Sequence, residues 1–271
     1  MKPKSFWLSV ILFMQTTYTL SAVENLRLPG MRSLAVGKNG VVTTNLFNPS
    51  LISLSNQKDI QIQYYNRYGL SELKTIGGSV LYPNNFLPVS FYVSSFGYDE
   101  YRESMFRFSA GKRIAERWAA GISVQYAMIQ TLLLDERYSC LSTDLGITYL
   151  LSDKALLGVS LLNLPSVSFG DEVSINDFMN YSFQLGLKWD IMDEMSIIGS
   201  LGTEKEKSIR GSLGIEYELL KSFYVRAGIN TSPLIPSFGI GYSFSVITVD
   251  IAAVSHTVLG ISTGISITCS F

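Results

Sequence analysis

Apolar and polar side chains alternate with a period of two along most of the chain beyond residue 58. The final stretch shows it most plainly: Leu259, Ile261, Thr263, Ile265, Ile267, Cys269 and Phe271 make a mostly apolar row, with Gly260, Ser262, Gly264, Ser266, Thr268 and Ser270 between them. Successive side chains of a strand point to opposite faces, so the pattern predicts a strand with one greasy and one wet face. It decides against a membrane-spanning helix over 251–271, although that stretch holds no Asp, Glu, Lys or Arg and has the length for one. The alternation recurs upstream in blocks of about ten residues. Trp118, Ala120, Ile122, Val124 and Tyr126 oppose Ala119, Gly121, Ser123 and Gln125, and Tyr181, Phe183, Leu185, Leu187 and Trp189 oppose Ser182, Gln184, Gly186 and Lys188.

Strand cores are expected at 60–68, 73–82, 88–96, 104–112, 118–129, 138–149, 156–163, 179–190, 195–202, 208–218, 223–230, 236–244, 247–255 and 258–271. That is about fourteen, an even number as in closed antiparallel up-and-down barrels. The connections 114–117, 150–155, 191–194 and 219–222 are tight and alternate with longer ones at 97–103, 130–137, 164–178 and 203–207, as short periplasmic turns alternate with longer outer loops. A soluble sandwich would share the alternation, but here aromatic residues collect near strand ends, at Trp118, Tyr149, Trp189, Tyr217, Phe223, Phe244 and Phe271. An interfacial girdle requires that placement. The fold expected is all-β, a transmembrane β-barrel. A composition of 47% hydrophobic and 16% charged residues agrees, being too greasy for an ordinary soluble chain.

Residues 1–22 have the form of a signal peptide: Lys2 and Lys4 lead an apolar core at 6–14, and Thr19, Ser21 and Ala22 offer a cleavage site. The organisation expected is a signal peptide over 1–22, an N-terminal segment over 23–57 and a barrel over 58–271. Removing Lys2 and Lys4 leaves 19 basic against 22 acidic residues, a charge of about −3. Such a balance supplies neither a basic stripe for nucleic acid nor a polybasic lipid anchor, and nucleic acid is excluded as a partner. Cys140 falls on the lumen face of its strand and Cys269 on the lipid face, which excludes a disulfide between them.

The segment LRLPGMRSLAVGKNGVV followed by NLFNPSLISL resembles the opening of PorV/PorQ-like outer-membrane proteins and their wider FadL-like relatives, with Arg32, Gly37, Asn48, Pro49, Ser50 and Leu51 at the matching positions. Further on, ERWAAGISVQYAMIQ and STDLGITYLLSDKALLGVSLLNLP resemble the mid-barrel region of the same group through Asp144, Gly146, Tyr149, Asn163 and Leu164. Lys38 departs from the pattern, standing where the family has another glycine, and the outer loops are shorter than those of fatty-acid transporters. The resemblance implies a barrel whose N-terminal segment folds into the lumen as a hatch. Small residues on the predicted lumen face, Gly260, Ser262, Gly264, Ser266, Gly239 and Gly241, leave room for such a plug independently.

Candidate chemistry is sparse. The single histidine, His256, lacks a nucleophile and an orienting acid within reach, so no enzyme is expected. No metal site or cofactor is expected either: there is no CxxC or HxxxH, and the acidic pairs Asp99 with Glu100, Asp135 with Glu136, Asp171 with Glu172 and Asp193 with Glu194 fall in connections, with Asp177 beside the third. The informative charges are Arg107, Asp144, Arg210, Glu216, Arg226 and Asp250, all on the polar phase of their strands, where mixed signs imply a paired lumen network. The resemblance implies a non-enzymatic accessory or partner of outer-membrane and secretion components. The alternative is a FadL-like transporter of hydrophobic small molecules, whose hatch binds the ligand and whose wall opens sideways at an interruption such as Gly77 with Gly78; a general porin is the third reading. The expected location is the bacterial outer membrane, with membrane lipid, other outer-membrane proteins and a hydrophobic ligand as partners.

Overall fold

The computed structural model describes residues 23–131, 136–169, 180–204 and 208–271. Its strands are β1 Asp59–Asn66, β2 Lys74–Tyr82, β3 Val89–Gly97, β4 Tyr101–Ala115, β5 Trp118–Thr131, β6 Glu136–Ser152, β7 Ala155–Leu162, β8 Ser166–Phe169, β9 Ser182–Met192, β10 Met195–Glu204, β11 Arg210–Leu220, β12 Phe223–Asn230, β13 Ile235–Phe244, β14 Ile247–His256 and β15 Gly260–Ser270. All pairings are antiparallel between neighbours, and β1 pairs with β15 from Asp59↔Ser270 to Asn66↔Thr263, so that fourteen strands close into a barrel. Phe271 exchanges backbone hydrogen bonds with Lys58 and extends this seam. Closure removes every sheet edge, which a bilayer demands because it offers no water to unpaired backbone groups.

The outward row of each strand is apolar and exposed, for example Ile62, Phe108, Val124, Ile147, Leu213 and Ile267. The inward row is polar and buried, with Gln63, Ser94, Gln125, Thr148 and Ser266 among its members. This inversion of the usual inside and outside is what a lipid solvent requires. Among the described residues no helix is long and apolar enough to cross a membrane, and the strands do the crossing. Trp118 and Tyr149 face each other across β5 and β6 with ring centroids 4.5 Å apart, at the end that carries the tight turns and both ends of the barrel chain. That end is the periplasmic one.

Two expectations about the wall are corrected. Gly77 and Gly78 do not interrupt β2, since both residues pair with β1 and with β3. The interruption lies in the region expected to be an outer loop: β7 stops at Leu162, and β8 resumes along β6 from Ser142↔Ser166, a register two residues out of step with Leu145↔Leu161. Asn163, with φ +60°, leads into the shift, and Leu164 and Pro165 both hydrogen-bond to Thr143, at 2.8 and 3.0 Å, so that the ladder to β6 bulges there with two residues opposite one.

The segment before β1 lies inside the barrel as short helices α1 Val23–Leu26 and α2 Met31–Ala35 and two 3₁₀ turns, Gly40–Val42 and Pro49–Leu54, and emerges at the exposed Asn56 and Gln57. Leu26, Met31, Ala35, Val36, Val41 and Ile52 are fully buried by the wall. Asn48 caps the second turn: its side chain accepts from the Ser50 amide at 3.2 Å and donates to Thr148 Oγ1 of the wall at 3.1 Å, with Pro49 in the first helical position. The plug fits because the wall is stripped to backbone at one level. Gly111, Gly121 and Gly146 are partners across β4, β5 and β6, as are Gly158 with Gly186 and Gly214 with Gly228. A Cβ at Gly121 would stand 2.3 Å from the Pro49 carbonyl carbon, one at Gly228 2.1 Å from Gly37 N, and one at Gly239 2.4 Å from the Ala35 Cβ. Gly264 meets Met31, Gly241 instead makes room for Arg226 and Asp250, and Gly260, at φ +96°, opens β15 with nothing near it. Gly37 is held at φ +81° against Ile229 O, where a side chain would be both strained and obstructed.

Alanine at Gly121 or Gly228 should therefore cost about 1–3 kcal/mol by overpacking, whereas Gly78→Ala on the outer face, with no atom nearer than 3.7 Å, should be near neutral. Gel migration after graded heating measures the difference: the first two variants should lose the compact band at lower temperature.

Candidate functional site

Two clusters of buried ions bolt the plug to the wall, one on each side of the glycine level. On the outer side Asp144, one lumen position above Gly146, receives Arg107 of β4 in a close ion pair and Arg27 of the plug at 3.1 Å. Arg107 also donates to Ser123 at 2.8 Å and Gln125 at 3.1 Å, and Arg27 donates to Gln125 at 2.8 Å and Asn163 at 3.0 Å. Among the described residues β7–β9 pairing ends at Leu162, and Asn163 beside it is the hub. Its amide donates to Asp144 at 2.7 Å, and its side chain donates to the Asn180 carbonyl at 2.9 Å, reaching from the end of β7 toward the start of β9.

On the periplasmic side, nearly across the ring, Arg32 makes two hydrogen bonds to Glu216, at 2.8 and 2.6 Å. Arg226 joins Glu216 at 2.5 Å and Asp250 at 2.7 Å. The two clusters use plug residues five positions apart, Arg27 and Arg32, to fix the plug from above and below. Charges held this way in a confined interior are favourable only as complete sets, since removing one partner leaves the others buried and uncompensated.

Of the residues singled out in the sequence, Arg32 meets Glu216, Arg226 joins Glu216 to Asp250, and Arg107 meets Asp144. Arg210 faces the lumen above the plug as Arg27 does but at another height, six residues along β11 from Glu216, where it pairs with Glu204 at 3.5 Å. Gly37, Asn48, Pro49 and Ser50 all sit on the glycine level, Leu51 in the turn that follows. Arg27, Gln125 and Thr148 were missed. The signal for Arg27 was available, as a lone arginine between Leu26 and Leu28 in a segment expected to be buried.

The remaining candidates take bland positions. His256 accepts from the amides of Val258 and Leu259, both at 3.2 Å, and shapes the turn before β15. Asp193 pairs with Lys154 and Asp99 with Arg102 on exposed turns. Asp135, Asp171, Glu172 and Asp177 lie outside the described residues, among which no group of three metal-ligating side chains occurs. Cys140 and Cys269 are free thiols.

Above the plug, against β7, β9, β10 and β11, lies a cavity of about 100 Å³. Arg27, Lys38, Phe47, Leu162, Asn163 and Gln184 are among its lining residues, so it touches both the plug and the end of β7–β9 pairing.

No protein-family model matches the sequence, and no curated protein matches it. Solved structures do. The chain is similar to the toluene transporter TodX of Pseudomonas putida, with a TM-score of 0.62 and 12% identity over 91% of this chain and 99% of that one. It is similar to the CymD monoaromatic hydrocarbon channel, with a TM-score of 0.58 and 14% identity over 83% and 91%. A Pseudomonas aeruginosa FadL homologue gives 0.56 and 9% over 83% and 92%. At these identities the likeness establishes the fold alone, a fourteen-stranded closed antiparallel barrel. Fold and apolar exterior together make this a bacterial outer-membrane protein.

Replacing Glu216 by alanine should weaken plug attachment by about 3–5 kcal/mol, because Arg32 and Arg226 lose their shared carboxylate. Arg210→Ala, at a partly exposed pair, should cost no more than about 1 kcal/mol. Trypsin cleavage within the plug of the purified protein reads this directly, rising steeply in the first variant and little in the second.

Proposed function

We propose that the protein is a non-enzymatic passage for small hydrophobic molecules, with residues 23–57 as its hatch and the end of β7–β9 pairing beside Asn163 as its side exit to the bilayer. The observation that carries this reading is the coincidence of three features at one place. The cavity above the plug, the plug residue Arg27 and the lapse in strand pairing all meet at Asn163. Among the described residues β7 and β9 pair only as far as Leu162↔Ser182, while β6 continues outward along β8. A small apolar solute leaving the cavity there would enter lipid without crossing the plug. The structural neighbours named as transporters and channels support this reading over the accessory role in secretion, for which no feature of the barrel speaks.

Reconstituted protein should accelerate toluene entry into lipid vesicles. In a background with Cys140 and Cys269 replaced by serine, a disulfide between L162C and S182C, which face each other in β7 and β9, should cut that rate several-fold and dithiothreitol should restore it. Rates indifferent to the disulfide would rule out this exit.

A further inference from the structure

Glu103 of β4 is 1% exposed and stands on the outer side of the lumen, beside the start of the plug. Its two oxygens are treated unequally. Oε1 accepts from the Tyr101 hydroxyl at 2.9 Å and from the Asn25 side-chain amide of the plug at 3.4 Å, whereas Oε2 is buried with no hydrogen-bond partner among the described residues. Burial strips a carboxylate of its water, and an oxygen left without a donor makes the arrangement costly. The arginines on this side are engaged in other bonds. Arg27 and Arg107 donate to Asp144. Arg67, the cationic neighbour of Glu103, donates to Thr75 Oγ1 at 2.8 Å and to the Asn25 carbonyl at 3.3 Å and lies over the rings of Tyr65 and Phe96.

Processing of the chain creates a further cation at this place. Cleavage after Ala22, as the form of residues 1–22 leads one to expect, turns the peptide nitrogen of Val23 into an α-ammonium. Val23 opens α1, which packs on β2, β3 and β4. Helical rise sets its nitrogen about 3 Å along the axis from that of Asn25, whose side chain already touches Glu103. Side chains on a helix tilt toward its first residue, which directs the Asn25 amide and the carboxylate it holds toward Val23. The other end of α1 is fixed to the wall, because the Leu26 carbonyl accepts from Tyr92 at 2.9 Å and Ser94 at 2.7 Å, and the Asn25 carbonyl from Thr75 at 3.1 Å. We propose that the α-ammonium of Val23 is the ion-pair partner of Glu103, so that removal of the leader supplies the plug with an anchoring charge that the precursor lacks. In the precursor the same nitrogen is a neutral amide, and Glu103 keeps its uncompensated oxygen. The pair fixes the first residue of the plug at the outer side of the lumen, whichever solute the barrel passes.

Trace acetylation of the mature protein in detergent across a range of pH, read by mass spectrometry on the N-terminal peptide, names the first residue and gives the pKa of its α-amine. Val23 should be first, and its amine should titrate at least about one pH unit higher than in Glu103→Gln, as a close opposite charge requires. A second variant keeps Glu103 and moves the charge, with two glycines inserted between Ala22 and Val23. Trypsin should cut after Arg27 several-fold faster in either variant than in the natural protein, and combining the two changes should add nothing further. A different first residue, an α-amine that titrates alike with and without the Glu103 carboxylate, or cleavage unchanged by the glycines would overturn the proposal.

Discussion

The plug rests on bare backbone. At its closest approaches to the wall, between residues 35 and 50, the plug meets glycines such as Gly121, Gly146, Gly214, Gly228 and Gly239, and the spacing leaves no room even for a methyl group. This contact governs the rest of the lumen, because bringing two backbones together removes both from water. Every polar group so buried must then find a partner inside. Asn39 and Asn48 do this for the plug, donating to the carbonyls of Val36 and Val41 and reaching Ile198 and Thr148 of the wall. The ion clusters above and below carry the same logic to charged groups.

A wall with lipid on one side and a polar lumen on the other is the simplest environment a strand can have, and its period of two survives in the sequence almost undisturbed. That is why strands such as Phe223–Asn230 are found where the alternation places them. Gly239 and Gly264 were legible as plug contacts for a related reason, since residues without side chains on an inward face announce a close neighbour, whereas Gly241 and Gly260 serve an ion pair and a strand start and the rows through Gly121 and Gly228 were not singled out. Phase, however, assigns a face and not a height or a compass direction. Arg107, Arg210 and Arg226 share the lumen phase, but only strand register separates an outer cluster from a periplasmic one and sets Arg210 beside Glu204. Arg27 lay in an aperiodic stretch, where no pattern links it to Asp144 far along the chain. The bulge after Asn163 was hidden differently, because Asn-Leu-Pro reads as the start of a loop, and the resumption of pairing in β8 depends on the long neighbour β6.

A barrel with a bolted plug has two ways to pass a solute: move the plug or open the wall. Buried ion pairs on both sides of the plug and a glycine seat on several strands make wholesale plug movement costly. Among the described residues the wall, in contrast, ends its β7–β9 pairing at Leu162, next to Asn163, whose side chain joins Arg27, Gln125 and the Asn180 carbonyl. The same residue therefore links plug, charge cluster and strand end, and a ligand that rearranges one of them acts on all three.

The central claim is that the lumen is closed by the seated plug. Single-channel recording in planar bilayers tests it most directly, comparing the mature protein with a version lacking residues 26–50. The intact protein should be electrically silent, and removal of the plug should open a stable, large conductance; an intact barrel that conducts as freely as the truncated one would contradict this account.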